Sequence, residues 1–156
     1  MFKKLILLMT HLIVGCIGFA AGIYALPILI EPPSPTSESM KIVEQQALFE
    51  GEFKRNLMDS DALHWGEGKV LVSRHAVSFQ GKLAPGPDYK LYLSPEFVET
   101  ESDFLRLKTR MAKVGDVKTF NDFLVNIDAS IDPAAYNSVV VWCETFGQFI
   151  TATKYR

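Results

Sequence analysis

Cysteine is scarce in this chain: two in 156 residues, Cys16 in an N-terminal apolar run and Cys143 near the C-terminus. No disulfide framework can be built from that pair, and no CxxC redox motif or paired-cysteine zinc pattern exists. CxxCH is missing, which excludes covalent c-type haem. Histidine is also sparse (His11, His64 and His75), and none follows Cys143, so the ligand loop of a blue-copper site is excluded. GxGxxG, GxxxxGK[ST] and GxSxG are absent, and with them the usual signatures of dinucleotide, phosphate and α/β-hydrolase chemistry. There is no basic run and no basic face interleaved with aromatics. Nucleic acid is therefore not an expected partner.

Charge is missing altogether from Leu5 to Ile30. As a helix that stretch is about 39 Å long, enough to cross a hydrocarbon core of about 30 Å with some tilt. Lys3 and Lys4 precede it and no cation follows until Lys41, so the positive-inside bias places the N-terminus in the cytoplasm and the rest outside. A cleaved signal peptide would have a shorter apolar core and a small-residue cleavage site. The reading is a single-pass anchor whose partner is membrane lipid. "IVGC", Ile13 to Cys16, also resembles a lipobox with Cys16 as the lipidated residue. The apolar run continuing past Cys16 favours the helix. Gly18 and Gly22 have small-xxx-small spacing, which suits a homodimer through the anchor. Beyond residue 30, 14 basic residues face all 18 acidic ones, a mildly acidic balance.

Three parts follow: residues 1–30 as stub and anchor, 31–48 as linker and short helix, and 49–156 as an extracytoplasmic β domain. "EPPSPTSES" is polar and proline-rich, a linker ending in candidate N-caps Ser37 and Ser39. Met40 to Phe49 reads as a helix ended by Gly51. Strands are expected over Gly68–Ser73, His75–Gln80, Tyr89–Ser94, Thr119–Ile127 and Phe149–Tyr155. Thr100 to Met111 reads as one helix covering an edge or end of the sheet, with Phe104, Leu107 and Met111 as its stripe. "DPAAY" reads as a capped helical turn. The expected fold class is mainly β, an antiparallel sandwich or partly closed barrel with one or two short surface helices.

"SVVVWCETFGQF", Ser138 to Phe149, reads as a strand with Val139, Val141 and Cys143 on one face and Val140, Trp142 and Phe146 on the other. A free cysteine is often a small core residue. Outside the cytoplasm, however, an unpaired thiol must be sheltered, capped by a ligand, paired between chains or used in redox chemistry. As thiolate it would also be a soft ligand for a metal or a haem. His64 and His75 are the histidines of the outer domain, and either could ligate or act as a base toward Cys143. Met58 and Met111 offer soft sulfur but read as packing. The pairs Asp59/Asp61 and Glu99/Glu101 read as solvated loop carboxylates.

"LHWGEGKVLV", "GPDYKLYLS", "LKTRMAKVGD" and "YNSVVVWCETFGQFITA" together resemble the electron-transfer DM-thirteen domain family, the Skeletor-type domain, over roughly Phe49 to Tyr155. The resemblance implies a β-rich redox module. It maps the family's hallmark cysteine to Cys143 and the family histidine before the first glycine to His64. It further implies that Cys143 acts as a bare thiol or holds a prosthetic group such as haem. Membrane-tethered bacterial members look similar, which implies an envelope location and a separate, unidentified redox protein as electron partner. The rival expectations are a non-catalytic envelope scaffold with Cys143 in its core, and a cysteine hydrolase built on Cys143 and a histidine.

Overall fold

The computed structural model describes residues 2–156. The charge-free segment forms one continuous helix, α1 (Phe2–Leu29), with Pro27 in its last turn and none of its side chains buried in protein. Among the described residues it is the one helix long and apolar enough to span a membrane; signal sequences share those properties. Gly18 and Gly22 face open space.

After the linker, α2 (Ser37–Gln45) begins at Ser37, the first expected cap, so the true cap lies one residue earlier. Thr36, not Ser37 or Ser39, supplies the cap: its Oγ1 accepts the Ser39 N–H at 3.2 Å. Met40 and Val43 are buried against β2 and β3, so this helix belongs to the packed body. It ends at Gln45, well before Gly51. Ala47–Phe53 is instead β1, with Phe49, Gly51 and Phe53 turned inward by strand alternation.

The remaining strands are β2 (Gly66–Ser73), β3 (Ala76–Leu83), β4 (Tyr89–Ser94), β5 (Ala112–Val117), β6 (Phe123–Asn126), β7 (Ser138–Cys143) and β8 (Gln148–Lys154). They form two four-stranded sheets, β1-β2-β3-β6 and β5-β4-β7-β8. Every pairing is antiparallel. The expected sandwich is therefore the observed fold. Its open edges nearly meet. The Glu52 N–H donates to Thr153 Oγ1 at 3.0 Å, joining β1 to β8. On the other side Gly115 of β5 lies directly against Val125 of β6.

Two apolar layers hold the sandwich. Val70, Val72, Val77, Phe79, Leu91 and Val141 belong to the core between the sheets. Tyr92, Val140, Trp142 and Phe149 form a second cluster on the outer face of the β4–β7–β8 sheet, closed by Phe104 and Leu107 of α3 (Glu101–Leu107). Strand β7 is thus buried on both faces, which explains its unbroken apolar run.

Several expectations change. Helix α3 covers a sheet face, not an edge or end, and tightens into a 3₁₀ turn over Lys108–Arg110. The expected strand from Thr119 shrinks to Phe123–Asn126, because Thr119–Asp122 is a turn held by the Thr119 hydroxyl on Asp122 O at 2.8 Å. Strand β5 had no counterpart in the sequence reading. "SVVVWCETFGQF" is a hairpin, not one strand: β7 ends at Cys143, a turn spans Glu144–Gly147, and β8 begins at Gln148.

Candidate functional site

Three connections meet at one end of the sandwich: Asp61–Trp65 before β2, Ala84–Asp88 between β3 and β4, and the β7–β8 turn. Each is shaped by local hydrogen bonding. Asp61 Oδ1 accepts the N–H groups of Leu63 at 2.6 Å and His64 at 2.8 Å. Its Oδ2 lies 2.9 Å from His64 Nδ1. That contact with the imidazole, helped by the backbone N–H groups, holds the Asp61 carboxyl below the usual aspartate range. Asp61 is therefore an orienting partner, not merely a solvated carboxylate. Asp59 is engaged too, accepting the Glu101 N–H at 2.7 Å.

The Ala84–Asp88 loop folds over Tyr89, whose hydroxyl donates to Ala84 O at 2.9 Å. Gly86 packs on that ring so closely that a Cβ would sit 2.4 Å from the Tyr89 oxygen. Asp88 then clamps the loop to the hairpin turn. It accepts the Thr145 hydroxyl at 3.0 Å, its backbone oxygen accepts the Glu144 N–H at 3.0 Å, and its carboxylate pairs with Lys90 at 2.7 Å. Lys90 is the main reason that the Asp88 carboxyl is held low. The turn itself closes at Gly147, whose φ of +63° lies in the left-handed region.

Cys143 ends β7, paired with Tyr89 on one side and Gln148 on the other. It is 2 % exposed and belongs to the inter-sheet core. Burial pushes its thiol above the ordinary range, only partly offset by backbone groups of Phe146, Asp88 and Thr145. Burial likewise raises the Tyr89 phenol.

Cys143 and His64 line the same cavity, of about 370 Å³. Its walls are mostly apolar, with Leu63, Tyr89, Phe146 and Gln148 among them. Its far side is Ala20, Ile23 and Tyr24 of α1. No hydrogen bond joins the thiol to the imidazole. Phe146 does not share a strand face with Trp142: it sits in the turn, 52 % exposed, at the cavity rim. His75 lies at the opposite end of β2, in the β2–β3 connection. Met58 is exposed, Met111 packs beneath α3, and Cys16 is exposed on α1; none lines the cavity. Sequence reasoning missed Asp61 as the partner of His64, although the D-x-x-H spacing was its signal. It also missed Tyr89, Phe146 and Gln148 as cavity residues, although all three lie in segments that carry the family resemblance.

The family model for electron transfer DM13 matches residues 52–155. The chain belongs to this electron-transfer domain family. Neither a curated protein nor a solved structure matches it. The matched span of this DM13 domain contains both His64 and Cys143, along with every loop of the cavity.

A haem is poorly complemented by this DM13 cavity. No lysine or arginine lines the walls to meet propionates. Among the described residues no three His, Cys, Asp or Glu side chains gather as a metal site. A hydrolase reading also fails on geometry, because Cys143 has neither a lowered pKa nor a base in hydrogen-bond contact.

Proposed function

We propose that this chain is a membrane-anchored, extracytoplasmic electron-transfer module whose redox site is the cavity shared by Cys143 and His64. The observation that carries the reading is that convergence. Two chemistry-bearing side chains, far apart in sequence, line one apolar cavity in a domain of an electron-transfer family. The lysines ahead of α1 support an N-terminus inside and a domain outside. Cys143 is then a protonated, sheltered sulfur in an oxidising compartment, and His64 is a hydrogen-bonding group held by Asp61. Electrons pass to or from a separate redox protein at this end of the sandwich.

The test is an absorption spectrum and redox titration of the full chain purified in mild detergent with its native lipids. A bound redox chromophore is expected, diminished in Cys143→Ser and His64→Ala. A redox-silent protein, or variants indistinguishable from wild type, would overturn the reading.

A second reading is favoured by the burial of Cys143 within the inter-sheet core. Here the domain is a non-catalytic envelope scaffold and the thiol is packing. Cys143→Ala would then lower stability, by about 1 kcal/mol, and leave partner binding and redox behaviour unchanged.

A further inference from the structure

We infer that the cavity receives the head of a neutral, membrane-borne ring carrier, a lipid-soluble quinone or quinol, entering from the outer leaflet. This deepens the redox-site reading and rests on it and on α1 being a retained anchor.

Position is the first argument. From Lys4 to Tyr24 the helix rises about 30 Å, the thickness of a hydrocarbon core. With the lysines at the inner boundary, Tyr24 reaches the outer one, the depth that tyrosine favours. Tyr24, Ile23 and Ala20 form the far wall of the cavity. The cavity therefore opens where lipid meets water. Glu31, just past the helix, accepts the Phe120 N–H at 2.7 Å and ties the outer end of α1 to the sandwich. The rim loops are apolar at their tips: Leu63 and Phe146 are 55 % and 52 % exposed. Such tips suit an interface better than water.

Shape is the second argument. The cavity, of about 370 Å³ with mostly apolar walls, is at the small end of ligand sites, room for one ring head and not for a whole lipid.

Chemistry is the third. No cation lines the inner cavity, and the Asp61 carboxylate stands beside His64, so a phosphate head is not complemented. What remains suits a neutral head. With Nδ1 committed to Asp61, Nε2 of His64 is the ring nitrogen left to hydrogen-bond an oxygen of a quinone or quinol. Gln148 adds an amide donor for a carbonyl.

The test uses the full chain in phospholipid nanodiscs with a short-tailed azidobenzoquinone photoprobe and peptide mapping by mass spectrometry. Adducts are expected on Tyr24, Leu63–His64 or Phe146, competed by excess unlabelled quinone and not by added phospholipid. Ala20→Trp, which narrows the cavity from the helix without touching either core, should cut labelling about tenfold. Labelling spread along the lipid face of α1, or unchanged in Ala20→Trp, would overturn the inference. So would a photoreactive phospholipid that labels the same residues and is not displaced by quinone. A Cys143-dependent redox signal without cavity labelling removes the quinone and leaves the redox site. Cavity labelling with a redox-silent Cys143 does the reverse.

Discussion

Cys143 is a thiol held by burial in its protonated form, with a pKa above the ordinary value of 9.0. A raised folded value means that its protonated state stabilises the fold below about pH 9. That contribution is lost as pH rises through the folded value. In a Cys16→Ala background, alkylation of the folded chain by iodoacetamide should stay slow through pH 9 and rise only above it. The urea-unfolded chain should react at an ordinary pH. Fast labelling at pH 7 would contradict the burial argument. The carboxylates around the cavity behave oppositely. Asp61 and Asp88 are held low mainly by His64 and Lys90 respectively, so their stabilisation is present above the ordinary carboxylate range and is lost as pH falls through the depressed values. Asp88→Asn should cost about 0.5–1 kcal/mol at pH 7, a modest figure because its partners are partly solvated. It should also shallow the acid limb of a stability-versus-pH curve measured by urea unfolding. The sequence exposed Cys143 and His64 as candidates by their rarity. It hid Asp61, because a loop carboxylate becomes an orienting group only when the turn it builds brings an imidazole to it.

At the scale of elements, β7 is the strand on which both apolar layers depend. Its outward face carries Trp142, stacked on Phe104 of α3 with ring centroids 3.9 Å apart and planes 10° from parallel. The indole Nε1 is buried without a hydrogen-bond partner. Phe104→Ala should therefore cost about 3–5 kcal/mol. Trp142→Phe should cost only about 1–2 kcal/mol, since it removes an unsatisfied donor along with some buried area. Chemical denaturation of the two variants checks the ordering. The hairpin makes a parallel prediction: Gly147→Ala places a Cβ on a left-handed residue and should destabilise by about 1–2 kcal/mol. Elements buried on one or both faces were readable as strands because their apolar pattern is set by packing. Strand β5 was not, since Lys113, Gly115 and Asp116 break that pattern at the edge of its sheet. The β7–β8 turn was masked by Thr145 and Phe146, residues with strand preference, in a turn whose one punctuating residue is Gly147.

For the whole molecule, the sandwich, the long apolar helix and the family all follow from long patterns: alternation, a charge-free run and a shared set of segments. The cavity does not, because it forms only when three loops from distant segments meet against the C-terminal half of α1. Its two chemistry-bearing side chains and its mostly apolar walls make it the site proposed for this electron-transfer domain. Protein-film voltammetry of the full chain, wild type against Cys143→Ser, tests that most directly. The account expects a reversible wave in the wild type that is shifted or abolished by exchanging sulfur for oxygen. Superimposable waves from the two proteins, both folded, would contradict it.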